Sequence, residues 1–157
     1  MSEVIIRPAE ERDVHEVAEL DKLCFNVPWS EKSFRSEITE NDRAIYLVAD
    51  LDGKIIGYAG IWVILDEGHI TNVAVHPEYR RQHLGTTIVD TLLKSAELNG
   101  VIAETLEVRR SNMGAIKLYS SFGFVQEGVR IGYYEDNNED ALIMWRYKER
   151  EIQDERR

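Results

Sequence analysis

ETLEVR (104–109) reads as a short strand with a glutamate at its centre. Alternation puts Leu106 and Val108 on one face and Thr105, Glu107 and Arg109 on the other. A carboxylate in mid-strand is unusual unless it is paired or used. Glu107 is therefore either the ion-pair partner of Arg109 or another cation, or a group that function needs there. Just downstream, Ala115, Leu118, Tyr119 and Phe122 recur at i, i+3, i+4 and i+7 of NMGAIKLYSSF (112–122), which places the Tyr119 phenol on the core side of a helix. VAVHPEYRRQHLGTT (73–87) carries two adjacent arginines, Arg80 and Arg81, between a strand and a helix. Such a turn presents unpaired backbone N–H groups beside the positive end of the helix dipole, which makes an anion site. With donors from Arg81 to Thr86 and two guanidinium groups, a pyrophosphate fits it. Two solvated arginines are the plain alternative. Cys24 is the single cysteine and the only thiol nucleophile on offer. It closes the apolar face of a helix, so a buried structural role is expected. His15, His69, His76 and His83 show no metal-ligand spacing.

The elements that position these groups follow from periodicity and turn chemistry. EVIIR (3–7) is a strand. Asp13 opens a helix with Val14, Val17, Leu20 and Leu23 on one face, and Ser30 caps a second helix, SEKSFRSEIT. AIYLVAD (44–50) and KIIGYAGIWVIL (54–65) form a hairpin about Asp52-Gly53. HITNVAV (69–75) is a strand, followed by a helix from about Gly85 to Leu98 that Asn99-Gly100 closes. Asn112 is placed to cap the helix 112–122. FVQEGVRIGYY (124–134) and ALIMWRY (141–147) are the last strands, joined by an acidic, Asn-rich loop. The order implies an α/β layer structure, helices over a mixed sheet. Residues 1–148 read as one domain and 149–157 as a charged tail.

Lys and Arg total 19 against 29 Asp and Glu, a net charge of -10. No basic stripe is available for nucleic acid. The balance suits a cationic partner such as a basic peptide or a ribosomal protein, or simply serves solubility. One cysteine cannot make an internal disulfide. The N-terminus lacks a signal-peptide pattern. The longest apolar run, IIGYAGIWVIL (55–65), is too short for a membrane helix and is interrupted by glycines. A cytoplasmic protein with no membrane role is expected.

The loop Arg80-Arg81-Gln82-His83-Leu84-Gly85 after ITNVAV resembles the acetyl-CoA pyrophosphate loop of the GNAT N-acetyltransferases. His83 stands where that family has its first glycine, and histidine is among the residues that tolerate positive φ. PWSEKSF (28–34), ITNVAVHPEYR (70–80), LEVRRSNMGAIKLYSSFGF (106–124), Tyr133-Tyr134 and EDALIM (139–144) are similar, in order, to the RimI branch of that family. Those enzymes acetylate the N-terminal alanine of a small-subunit ribosomal protein.

The resemblance implies a GNAT fold of about seven strands and four helices, and acetyl-CoA as co-substrate with no metal. It implies direct attack of an amine on the thioester in a ternary complex, with Glu107 as general base and Tyr119 as general acid for the departing thiolate. Burial of Glu107 is expected to raise its pKa toward useful values. Val73, Ala74 and Val75 would lend backbone groups to the pantetheine arm, and the Val73 N–H would polarise the acetyl carbonyl. Arg80, Arg81, Gln82, His83, Leu84, Gly85 and Thr86 would hold the pyrophosphate. Asn112 would bond the coenzyme as well as cap its helix. Trp29, Tyr133 and Tyr134 would wall the peptide groove, although as aromatics they fit a core equally well. The other readings are a GNAT enzyme acting on lysine side chains or small amines, and a non-catalytic acyl-CoA-binding domain.

Overall fold

Asp52 and Gly53 take φ of 51° and 90°, the two left-handed residues that a two-residue hairpin needs to match strand twist. The Asp50 carboxylate fastens this turn by accepting the Gly53 N–H at 2.7 Å. The turn joins β2 (Ala44–Leu51) to β3 (Lys54–Ile64), neighbours in a seven-stranded sheet. The structure is a computed structural model and describes residues 3–80 and 82–148. The other elements, in chain order, are β1 (Val4–Pro8), α1 (Val14–Cys24), α2 (Glu31–Thr39), β4 (Glu67–Val75), α3 (Leu84–Leu98), β5 (Ala103–Arg109), α4 (Met113–Ser121), β6 (Val125–Arg130) and β7 (Ala141–Tyr147). Strand order is β1-β2-β3-β4-β5-β7-β6. Every pairing is antiparallel except β4 with β5.

The sheet has a core on each face. Along β2, Leu47 and Ala49 pack toward α3 and α4, while Tyr46 and Val48 pack toward α1 and α2, as a period of two requires. Ile88, Val89 and Leu92 of α3 are fully buried against the first face, each contributing roughly 1.5–3 kcal/mol. Ser30 caps α2 by accepting the Ser33 N–H at 3.0 Å. Arg7 of β1 bonds Asp13 at 2.7 and 2.8 Å and Asp50 at 3.1 Å, which ties the first strand to the start of α1.

Two local expectations are corrected. The buried face of α1 runs through Val14, Val17, Ala18, Leu20 and Asp21, while Leu23 is 59% exposed. An aspartate takes an inward position because several donors await it there. β6 stops at Arg130, short of residue 134. Gly132 turns to φ 63° and gives its N–H to the Asp140 carboxylate at 2.9 Å, so Tyr133 and Tyr134 lie in the loop before β7. Residues 149–157, expected to be a charged tail, lie outside the described residues. No helix among the described residues is long and apolar enough to cross a membrane.

The feature that makes room for a site is the meeting of β4 and β5. They pair only at Glu67 with Ala103, Gly68 with Glu104 and His69 with Thr105. A register shift in the β3–β4 ladder inserts Thr71 just beyond, and a bulge bends the strand that carries it. Gly60 lies opposite this bend. The Tyr46 ring and the Thr71 hydroxyl fill the space a side chain would need there. Past the bend, residues 72–75 have no partner on β5, and a gap opens between the strands.

Candidate active site

The gap continues into a cleft of about 840 Å³ between the end of β4, the start of α3 and one side of α4. Val73, Ala74, Val75, Arg80, His83, Leu84, Gly85, Thr86, Asn112 and Tyr119 all line it. The strand–turn–helix geometry leaves the start of α3 open at one end of the cleft. His83 is the N-cap of α3, at φ 62° and ψ 15°, and its side chain makes no capping bond. The first helical bond runs from the Thr87 N–H to the His83 carbonyl at 3.1 Å. The N–H groups of Leu84, Gly85 and Thr86 therefore have no partner within the helix, at the end where the dipole carries about half a positive charge. Gly85 fits this picture. A Cβ there would make only ordinary contacts, 3.5 Å from Leu118 and 3.9 Å from Val75. Protein packing does not demand the glycine, and its missing side chain leaves cleft space open for a ligand.

Some loop residues stand elsewhere than expected. Gln82 lines a separate hollow of about 260 Å³ with Val4, Ile6 and Thr87, and not the cleft. Arg80 folds back across the end of β4 and donates to the Val75 carbonyl at 3.0 Å and the Cys24 sulfur at 3.5 Å. Arg81 lies outside the described residues. Cys24 is partly buried: it packs against the core on the α1 face and also lines the cleft. Burial pushes its thiol pKa up, so it stands as a protonated thiol bonded to the Val75 carbonyl at 3.5 Å. The Val73 N–H lies 3.1 Å from the Asn72 side-chain oxygen.

Across the cleft, the Asn112 side chain accepts the Ala115 N–H at 3.1 Å and so caps α4. Tyr119 packs edge-on to Phe124, with ring centroids 5.8 Å apart, and is 7% exposed. Its hydroxyl has no hydrogen-bond partner among the described residues. No described buried side-chain oxygen is left unsatisfied, so this hydroxyl opens onto the cleft. Burial holds its pKa far above the ordinary phenol value and keeps the proton on the oxygen.

Glu107 is outside this lining and belongs to a second group. Its Oε2 lies 2.7 Å from Nε2 of His69 on β4, and its Oε1 lies 3.3 Å from Nε of Arg130 on β6. The His69 bond lowers the carboxyl pKa and outweighs the opposing effect of burial, and Arg130 adds to the lowering. This corrects the expectation of a raised pKa: two cationic or donating neighbours stabilise the charged form more than desolvation penalises it. Arg109 is not its partner. That guanidinium bonds Asp136 at 3.0 Å and Glu139 at 3.2 Å, and sits 3.9 Å above the Tyr134 ring. Burial pushes the Tyr134 hydroxyl up to about 12. Bonds from Ser111, with Arg109 beside it, draw Glu139 down to about 2. Arg130 lies 5.9 Å from the centre of the Tyr133 ring. Glu107, Arg130, Tyr133, Tyr134 and Arg109 thus form one cluster beside the open strands. Trp29 stands apart, its ring 5.5 Å from that of Phe34.

Sequence reasoning missed His69, Arg130 and a buried polar knot at Asp21. Asp21 is 1% exposed. Its carboxylate accepts the Tyr58 hydroxyl at 2.5 Å, the Trp29 N–H at 2.8 Å and the Asn72 amide at 3.4 Å. Burial raises its pKa against these bonds. The knot joins the end of α1 to the chain before α2, to β3 and to the bend of β4, and so fixes Trp29 relative to the gap. The available signal was an aspartate at i+4 from Val17, on the inward face of α1.

The description "Acetyltransferase (GNAT) family" matches residues 14–124. A Bacillus subtilis protein, provisionally named a ribosomal protein bS18-alanine N-acetyltransferase, is 43% identical over 140 residues, 89% of this chain and 93% of its own. The Escherichia coli (strain K12) ribosomal protein bS18-alanine N-acetyltransferase is 38% identical over 141 residues, 88% of this chain and 94% of its own. A crystal structure of the ribosomal-protein-S18-alanine N-acetyltransferase from Escherichia coli superposes with a TM-score of 0.85 at 36% identity, covering 92% of this chain and 94% of that one. The fold, the open strand pair and these relatives agree: the chain belongs to the GNAT acetyltransferase family, with its relatives on the RimI branch, and is an N-acetyltransferase.

Proposed function

We propose that this enzyme transfers acetyl from acetyl-CoA to the N-terminal α-amine of a protein, the N-terminal alanine of ribosomal protein bS18. The activity for which the relatives are named supports the substrate. The observation that carries the chemistry is a single cleft with an uncapped helix N-terminus at one end and the Tyr119 hydroxyl in its wall. Bound acetyl-CoA supplies the activated acetyl thioester. The free N–H groups of Leu84, Gly85 and Thr86 would hold its pyrophosphate, and the bare Gly85 lets it come close. Arg80 adds charge at the rim. Val73, Ala74 and Val75 would run along the pantetheine arm, and Asn112 flanks it from α4.

Tyr119 keeps its proton at all working pH values and would give it to the departing thiolate. Glu107 is the candidate base, directly or through water. Cys24 takes no part, because a protonated, hydrogen-bonded thiol is a poor nucleophile; the amine attacks the thioester directly. A carboxylate held below its ordinary pKa is a weak base, which suits an α-amine, with a reference pKa of about 7.7–8.0, better than a lysine at about 10.4. Tyr133, Tyr134 and Trp29 would border the peptide. The acidic balance of the chain, -10 overall, favours a basic protein as partner.

The test uses a basic peptide beginning with alanine, and the same peptide with a blocked N-terminus and free lysines. Mass spectrometry should find acetyl on the α-amine of the first and little on the second. Equal rates on both would assign the enzyme to lysine side chains.

A further inference from the structure

His69 bonds the candidate base and has no role in the reading above. It sits at the last point where β4 pairs with β5, opposite Thr105. Its Nε2 lies 2.7 Å from Glu107 Oε2, and its side chain is 34% exposed against 14% for Glu107. One ring edge therefore meets the carboxylate while the rest reaches solvent. The Trp62 ring packs edge-on against the imidazole, with centroids 5.9 Å apart. Trp62 is itself held by its Nε1 donating to Glu37 at 2.7 Å. The charged and titratable groups around the ring are thus Glu107 from β5, Arg130 from β6 through Glu107, Tyr134 beside Glu107, and Glu37 behind Trp62.

Resting on the reading of Glu107 as the base, we infer that the working base is the Glu107–His69 pair, in which His69 receives the proton taken from the amine and returns it to water. An imidazole is intrinsically more basic than a carboxylate, about 6.5 against about 4.3. The 2.7 Å bond gives a proton taken up at the carboxylate a direct path to the ring nitrogen. The product is an imidazolium against a carboxylate, a charge-assisted bond. The lowered pKa of Glu107 has the same origin: the carboxylate is stabilised by the ring it serves.

The protons balance. The substrate ammonium loses one proton to the pair, which His69 releases to solvent. The amine then forms the C–N bond, the C–S bond breaks, and the thiolate takes the Tyr119 proton. Of the two protons then on nitrogen, one leaves through the pair and restores the phenol, and the other stays as the amide N–H. One proton appears in solution for each ammonium acetylated.

The test compares His69→Gln, His69→Ala and Glu107→Gln in the full chain, with saturating acetyl-CoA and an alanine-first peptide. Rates are normalised to active sites counted by acetyl-CoA calorimetry. Glutamine can still donate to Glu107 but takes up no proton. His69→Gln should lose about 10²-fold in kcat at pH 7, with an unchanged Kd for acetyl-CoA. Its kcat should keep climbing with pH where the parent levels off, and added imidazole should accelerate His69→Ala. If His69→Gln keeps parental kcat while Glu107→Gln is impaired, Glu107 is the base alone and the inference falls. If both glutamine variants keep parental rates, the reading of Glu107 as the base falls with it.

Discussion

Tyr119→Phe separates catalysis from stability because of how this phenol is held. Its ring is packed against Phe124 and 93% of the residue is out of solvent, while its hydroxyl has no bonding partner among the described residues. Removing the oxygen breaks no hydrogen bond and leaves the packed ring in place. Unfolding free energy should therefore change by no more than about 0.5 kcal/mol. The rate should change far more. Without the proton donor the thiolate must leave unprotonated, a loss of roughly 10²-fold, or about 2.7 kcal/mol of transition-state stabilisation. Burial holds the phenol pKa above its ordinary value, so the acid form persists through neutral and mildly alkaline pH. The ratio of parental to variant kcat should then stay flat from about pH 6 to pH 9. Thiol release from acetyl-CoA with an alanine-first peptide measures kcat, calorimetry the Kd of acetyl-CoA, and urea titration the stability. A variant keeping more than half the parental kcat would refute the assignment. A large loss of acetyl-CoA affinity with unchanged kcat would make the hydroxyl a binding group instead.

His83→Gly tests the anion loop: His83 holds φ 62° with no side-chain cap, so glycine relieves strain while adding unfolded-state freedom worth about 0.4–1 kcal/mol. Acetyl-CoA binding by calorimetry should be equal or tighter, and a marked weakening that grows at acid pH would make the imidazole a phosphate ligand. Arg7→Met leaves Asp13, 3% exposed, without its guanidinium partner. It should cost about 2 kcal/mol at pH 7, less than the 3–5 for fully buried pairs because Arg7 keeps 19% of its side chain in solvent. The Arg7 bonds lower the Asp13 pKa, so this stability is present above the unfolded value near 3.9 and fades as pH falls through the lower folded value. Denaturation midpoints of parent and variant should converge as pH falls through that lowered value; a gap that persists in strong acid would refute the pairing as its source.

The sheet gap and the base pair have one origin. Three residue pairs join β4 to β5, and His69 with Thr105 is the last of them. Glu107 lies two residues further along β5, where the strands have parted, yet His69 still reaches it across the fork. A change that lengthened the pairing would close the gap in which the site lies.

What the sequence determined by itself was local. Periodicity drew the helix Leu84–Leu98 and the strand Ala103–Arg109, the Asp-Gly pair set the hairpin, and Ser30 and Asn112 signalled the helix starts they cap. These depend on residues within a few positions of each other, and so does the left-handed turn at His83. The tertiary structure alone decided who stands next to Glu107. Arg109, on the same strand face by alternation, turned to the acidic residues Asp136 and Glu139, while His69 and Arg130 arrived from strands distant in sequence. Strand order and register set those neighbours, and neither is written in any short stretch of chain. The direction of the Glu107 pKa was misread for that reason. Burial can be read from a pattern, whereas the opposing charges come from partners that only the folded sheet brings within hydrogen-bond reach. The same holds for Asp21, whose inward place on α1 makes sense only once Tyr58, Asn72 and the Trp29 N–H are seen to meet it.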